Sequence, residues 1–147
     1  MKLLLVDDDL DVVSLAEEIL RDAGYSVVST SDPDEAVRML SDHRVRIDLL
    51  ITDVFMPGMT GPELARKGFR ARATLRTLFM SGDTKARSNV RKGDPYLVKP
   101  FVSKDLVREV EKMLVSRQTE EEEPYKGTER RRSAKRRMGA AGGKKRP

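Results

Sequence analysis

Two patterns of apolar and polar positions alternate along the chain. Leu3-Leu4-Leu5-Val6 is a short unbroken apolar run, as expected of a strand buried on both faces. Val12, Val13, Ala16, Ile19, Leu20 and Ala23 then recur at helical spacing, and Gly24 stands where such a helix would end. Tyr25-Ser26-Val27-Val28 reads as a second strand. "SDPDEAVRML" opens a second helix, with Asp32 as cap, Pro33 in the first turn and Glu35 three residues after the cap. Ile47–Thr52 is a third strand. "TGPE", Thr60 to Glu63, repeats the cap-and-glutamate spacing before a third helix, whose far end Gly68 weakens. Leu75–Met80 and Tyr96–Val98 make the fourth and fifth strands. Ser103 is placed to cap a last helix carrying Leu106, Val107, Val110 and Leu114 on one side.

The stretch between the last two strands, "GDTKARSNVRKGDP", breaks the rhythm. It offers only Ala86 and Val90 as apolar anchors, so the helix that alternation demands there is expected to be short or loosely docked. The whole pattern is (βα)5, which predicts a doubly wound α/β fold with a parallel sheet and helices on both faces. Such sheets bind ligands beyond the carboxyl ends of their strands.

That rule directs attention to where the strands stop. The first ends in Asp7-Asp8-Asp9, the third in Asp53, the fourth in Ser81 and the fifth in Lys99-Pro100. Parallel strands bring these ends to one edge, so acids, a hydroxyl and an ammonium converge. Clustered carboxylates do not all ionise without a cation. Oxygen ligands without a multi-histidine or cysteine set favour a hard ion, Mg²⁺ before a transition metal. Lys99 and Ser81 add donors suited to phosphoryl oxygens. Together the residues describe a pocket in which Asp53 attacks a phosphoryl group and catalysis consists of positioning and charge neutralisation.

Charge changes the picture in one respect. Residues 117–147 hold 11 of the 29 lysines and arginines and 5 of the 24 acids, a net of +6, which leaves residues 1–116 at −1. The basic character belongs to the tail, which pairs an acidic block, Glu120–Glu123, with arginine runs and has almost nothing to bury. It is expected to be disordered. Contact with nucleic acid through those basic runs is disfavoured against a solvated tail, since no aromatic interleaving accompanies them. There is no cysteine, and the single histidine, His43, cannot form a multi-histidine site and reads as a surface residue. No apolar run approaches membrane-spanning length and no signal peptide is recognisable, so a cytoplasmic protein without membrane contact is the default expectation.

"LLLVDDD", "LLITDVFMPGMTG", "LFMSG" and "YLVKPF" stand in an order and at spacings that resemble the receiver domain of bacterial two-component response regulators. The resemblance covers about residues 1–116. It implies the flavodoxin-like strand order 2-1-3-4-5 and an Asp53 phosphorylated from the phosphohistidine of a histidine kinase or phosphotransfer protein. It further implies Asp7 and Asp8 as the acidic pair for Mg²⁺, with Asp8 the preferred direct ligand, and the Phe55 backbone carbonyl as another ligand. Ser81 would swing toward phosphate, Tyr96 would reorient with it, and Lys99 would pair with the phosphate. Lys99-Pro100 corresponds to the family's cis peptide. Phe55 and Asp83, each two positions past a site residue, correspond to positions that tune the lifetime of the phosphoryl group. Thirty-one tail residues without an apolar core cannot form a winged helix, so the reading is a phosphorelay receiver without a DNA-binding output domain, signalling by partner binding.

Ordinary roles stand beside these. Asp9 and Asp11 read as acids favouring the positive end of the first helix. Ser81 is also a plausible turn residue before Gly82, and Tyr96 a plain strand residue. Met56, Met59 and Met80 read as packing. The alternative function is a Mg²⁺-dependent phosphatase with an aspartyl-phosphate intermediate, which normally has a second acid where Phe55 stands. A nucleotide-binding domain is disfavoured because the first turn, "VDDDLD", lacks glycine and carries charges that repel a pyrophosphate.

Overall fold

The first apolar run forms β1, Lys2–Val6, and every residue from Leu3 to Val6 is fully buried. A computed structural model describes the backbone of residues 1–122 and the side chains of residues 1–83 and 85–115. After β1 come α1 (Leu10–Asp22), β2 (Ser26–Thr30), α2 (Pro33–Ser41), β3 (Leu49–Asp53), α3 (Gly61–Ala71), β4 (Arg76–Ser81), a 3₁₀ segment (Thr84–Asn89), β5 (Tyr96–Val98) and α4 (Ser103–Glu122). The five strands form one parallel sheet in the order β2-β1-β3-β4-β5. This is the expected doubly wound α/β architecture.

The period of two along each strand sorts side chains between the faces. Leu3, Leu5, Leu49, Ile51, Leu78, Met80 and Leu97 point to one side. There they pack with Val13, Ala16 and Leu20 of α1 and with Leu106, Val110, Met113 and Leu114 of α4. Leu4, Val6 and Leu50 point the other way, against Ala36 and Leu40 of α2 and Leu64 of α3. Each fully buried leucine contributes about 1.5–3 kcal/mol relative to exposure, which makes the central strands the rigid part of the molecule.

Helix starts follow the caps. The Asp9 carboxylate accepts from the amides of Asp11 (3.0 Å) and Val12 (3.5 Å), the role expected of it at the start of α1. Asp32 accepts from Asp34 N at 2.9 Å. Glu35 is drawn away from that cap by the Thr30 hydroxyl, which donates to it. Thr60 and Glu63 close a full capping box at α3, with bonds of 3.2 and 2.8 Å. Two expectations need correction. Ser103 does not cap α4: the chain turns one residue earlier, and the Val102 carbonyl accepts from Asp105 N and Leu106 N. Gly68 is not a weak point of α3. It is buried against Leu40 and Leu75, whose methyl groups a Cβ would meet at 3.0 and 2.6 Å, so it lets α3 press onto its neighbours.

Between β4 and β5 the fourth helix is replaced by six residues of 3₁₀ helix. Its buried anchors are the expected two, Ala86 and the following Val90. At the other end of the chain, α4 runs six residues past the boundary expected at 116. The chain divides into two units, Met1–Leu114 and Val115–Pro147. Residues 123–147, and with them the disorder expected of the tail and its disfavoured contact with nucleic acid, lie outside the described residues. Among the described residues no helix is long and apolar enough to cross a membrane.

Candidate functional site

The alternation that builds the core also builds the site. Asp7 continues the Leu3–Leu5 row of β1, Asp53 the Leu49–Ile51 row of β3, and Lys99 the Leu97 position of β5. All three therefore emerge on the α1/α4 side of the sheet, at the carboxyl ends of the strands. Carboxylate oxygens of Asp7, Asp8 and Asp53 lie within 4.8 Å of one another. The Lys99 ammonium donates to Asp7 Oδ2 at 2.7 Å and stands 3.5 Å from Asp53 Oδ1. Asp7 is fully buried and Asp53 is 8% exposed, whereas Asp8 faces solvent.

Two backbone amides fix the acids. Val54 N donates to Asp53 Oδ1 at 2.9 Å, and Asp9 N donates to Asp7 Oδ1 at 3.0 Å. Burial, first of all, pushes the Asp53 carboxyl up to about 6, and the charge of Asp7 adds to this; Lys99 and the Val54 amide pull the other way. For Lys99, burial acts to lower the ammonium's pKa, but the bond to Asp7 and the charges of Asp7 and Asp53 outweigh it, so the net shift is upward.

Three carboxylates against one ammonium leave two negative charges when all are ionised. This donor set fits a divalent, hard, oxygen-preferring cation, because the side chains on offer are all carboxylates and their oxygens lie close together.

The loop after Asp53 is shaped by close approach. A Cβ on Gly61 would stand 2.3 Å from the Asp53 carbonyl oxygen, and Gly61 N donates to Val54 O at 2.7 Å, so only glycine fits there. Gly58, with φ +85°, turns the chain between. Met56 and Met59 are buried below this loop, as packing residues should be, and Phe55, two residues past Asp53, is 40% exposed. Met80 packs in the α1/α4 core, and His43 is exposed.

Ser81 and Tyr96 come from the other row. Ser81 follows Phe79 on β4, is buried, and its Oγ accepts from Asp83 N at 3.1 Å. Tyr96 pairs with Phe79 across β4–β5 and packs on Val54, Phe79, Ala86 and Val90. Asp83 is exposed and caps the 3₁₀ segment through Lys85 N at 2.8 Å. The Lys99-Pro100 peptide is cis.

The structure thus brings Asp7, Asp8, Asp53 and Lys99 into one cluster and sets Ser81 and Tyr96 on the adjoining strands. Sequence reading missed the Val54 amide, the wedge role of Gly61, and Asp7 as the nearer partner of Lys99. Only Gly61 carried a signal, as a glycine at the first turn of a helix, where glycine is otherwise unhelpful. Beside the cluster, Val12 and Leu15 of α1 face Gly82, Lys99, Pro100 and Phe101 across a cleft of about 390 Å³.

Residues 3–111 match the model of the response regulator receiver domain. The chain is 34% identical over 119 residues to the response regulator receiver protein CpdR of Brucella abortus, covering 78% of this chain and 98% of that protein. Other curated relatives are longer, and the chain spans about half their length. Among solved structures, the receiver domain of the hybrid histidine kinase CckA is 35% identical with a TM-score of 0.67, over 78% of this chain and 99% of that one. The response regulator TrrA of Thermotoga maritima, solved in complex with Mg(2+)-BeF, is 27% identical with a TM-score of 0.68, over 76% and 97%.

Proposed function

This chain belongs to the response regulator receiver domain family, and from that premise we propose that Asp53 is its phosphoryl acceptor, charged from a phosphohistidine on a histidine kinase or phosphotransfer protein. The observation that carries the reading is the cluster itself: a nearly buried carboxylate, two further acids and a lysine at the end of a parallel sheet. In the transfer, the donor's P–N bond breaks as a P–O bond forms to an Asp53 oxygen, and the imidazole leaves. The Val54 amide fixes the attacking carboxylate, and Lys99 faces the oxygens of the incoming group. Asp7, Asp8 and Asp53, with the Phe55 carbonyl, are the residues we assign to Mg²⁺; TrrA, a relative, was solved in complex with Mg(2+)-BeF. Bound there, the ion supplies neutralisation of the negative charge that the transfer concentrates.

Asp53, with a pKa near 6, is largely ionised at neutral pH and so is a competent nucleophile. Ser81 takes a phosphoryl oxygen once its hydroxyl leaves the Asp83 amide, and Tyr96 follows. Phe55, exposed two residues past Asp53, and Asp83, exposed two residues past Ser81, set how readily water reaches the acyl phosphate. The apolar cleft between α1 and the Lys99–Phe101 turn, together with Leu10 and Leu15, which are 66% and 50% exposed, offers the donor protein a dry contact beside the acceptor.

Incubation with acetyl phosphate and Mg²⁺ is expected to add one phosphoryl group to Asp53, mapped by mass spectrometry. Asp53→Asn should reduce the label by at least about 100-fold, in line with loss of a nucleophile. Label elsewhere on the chain, or steady turnover of free phosphoesters, would reject Asp53 as the acceptor in favour of another residue or of phosphatase activity.

A further inference from the structure

The 3₁₀ segment sends one side chain back over the strand that follows it. The Arg87 guanidinium carbon lies 4.9 Å from the centroid of the Tyr96 ring. Arg87 Nη1 also donates to the Asp94 carbonyl at 3.3 Å, two residues before that ring. One arginine therefore joins the middle of the segment to the entrance of β5. Below, Ala86, Val90, Phe79 and Val54 give the ring an apolar floor; Arg87 covers it from above. A cation over an aromatic face is held by the ring's quadrupole, and more firmly where the ring is partly withdrawn from water, as Tyr96 is.

The same segment is tied at its start to Ser81. Asp83 caps it, and the Asp83 amide donates to Ser81 Oγ. Ser81 Oγ, Asp83, the 3₁₀ turn, Arg87 and Tyr96 thus form one unbroken chain of contacts linking the two residues assigned above to the switch. Among the described residues Ala86 and Val90 are its only buried apolar anchors, so its polar ties carry a large share of what holds it.

We propose that Arg87 is a positioning residue: a latch that holds the Tyr96 ring in the unphosphorylated form and is released through Asp83 when Ser81 turns to the phosphoryl group. The proposal rests on the reading of Asp53 as acceptor. When the Ser81 hydroxyl engages a phosphoryl oxygen, the Asp83 amide loses its acceptor and the start of the 3₁₀ turn loosens. Arg87 then withdraws from the ring. Because the stack belongs to the unphosphorylated form, it opposes activation, and removing it shifts the equilibrium toward the phosphorylated form.

The test is affinity for beryllium fluoride, a stable phosphoryl mimic, titrated into the full chain at saturating Mg²⁺ and followed by ¹⁹F NMR. Arg87→Ala is expected to tighten binding about 2- to 5-fold, the range a single exposed cation–π contact spans. Arg87→Lys, which keeps the charge but loses the planar stack, should fall between. On a Tyr96→Leu background, Arg87→Ala should change nothing, which a general loosening of the fold would not reproduce. Arg87→Gln provides the same comparison if the alanine variant folds poorly. Equal affinity in wild type and Arg87→Ala, or the same tightening with and without the Tyr96 ring, would overturn the latch while leaving the acceptor reading intact. Failure of the wild-type chain to bind beryllium fluoride with Mg²⁺ would overturn both.

Discussion

One face of the sheet is covered in two very different ways. Over β1 and β3, α2 and α3 bury Leu40 and Leu64 completely against Leu4, Val6 and Leu50. Over β4 and β5, a single 3₁₀ turn contributes Ala86 and the adjoining Val90 to a cluster with Val54 and Phe79. The site straddles this divide. Asp7, Asp8 and Asp53 stand at the ends of the heavily packed strands, where their geometry is held; Ser81 and Tyr96 border the thinly covered connection. The three acids come from the stiff half, and the groups assigned to move come from the soft half; Lys99, at the end of β5, bridges the two through its ion pairs with Asp7 and Asp53.

The sharpest way to break this comparison is to truncate one buried aliphatic side chain on each side and compare the loss per carbon removed. Leu64→Ala should cost about 2–5 kcal/mol, as fully buried leucines do, because the cavity between α3 and the sheet cannot collapse. Val90→Ala, at the edge of a small cluster that is free to settle, should cost about 1 kcal/mol. Urea unfolding measures both, and equal losses per carbon removed would erase the distinction between the halves.

A second test addresses what ties α2 to α3. The Arg72 guanidinium donates to four backbone carbonyls, those of Leu40 (2.8 Å), Met39 (3.1 Å), Asp42 (2.9 Å) and Val45 (2.6 Å), and so closes the C-terminal end of α2. Arg72→Ala leaves several part-buried carbonyls without that donor and is expected to cost about 2–3 kcal/mol in the same assay. Arg72→Lys should recover only a fraction, because an ammonium cannot reach four acceptors in a fork. Full recovery by lysine would reduce the clamp to a simple charge effect.

These contrasts also mark what could be read from sequence. The strands and helices around Leu3–Val6, Leu49–Asp53 and Gly61–Ala71 were legible because dense apolar periodicity and paired caps point the same way. Alternation then carried the acids to one edge, so the carboxylate cluster followed from the fold. The softness of Thr84–Asn89 was legible too, as a shortage of apolar anchors, but its 3₁₀ form was not, since two anchors satisfy either winding. Arg72 and Arg87 were invisible. Each acts through a long flexible side chain across 27 residues or more, or onto a ring nine positions away, and neither leaves a periodic trace. Gly68 was misread because propensity penalises glycine in a helix, and tight packing on Leu40 and Leu75 overrides propensity here.

The smallest expected effect separates the halves by electrostatics. The acids of the stiff half carry a charge conflict centred on Asp53. Asp53 has an ordinary carboxyl pKa of 3.8 in isolation and about 6 in the folded chain, through burial and the neighbouring Asp7. Between those values the folded chain holds a proton that the unfolded chain has lost. The contribution of this group to stability is therefore intact below about pH 4, declines as pH rises through 6, and stays low above it. A shift of about 2 units corresponds to at most about 3 kcal/mol, and relaxation and screening around a polar site reduce it to about 1–2 kcal/mol. Asp53→Asn removes the charge while keeping the shape. Without Mg²⁺ it should be more stable than wild type by that amount at pH 7.5 and indistinguishable from it near pH 4. Saturating Mg²⁺ should narrow the gap at pH 7.5 by stabilising the wild-type chain, which keeps all three carboxylates. A difference between the two proteins that is constant with pH would place the cost in packing rather than charge, and the two halves of the sheet would then differ in degree and not in kind.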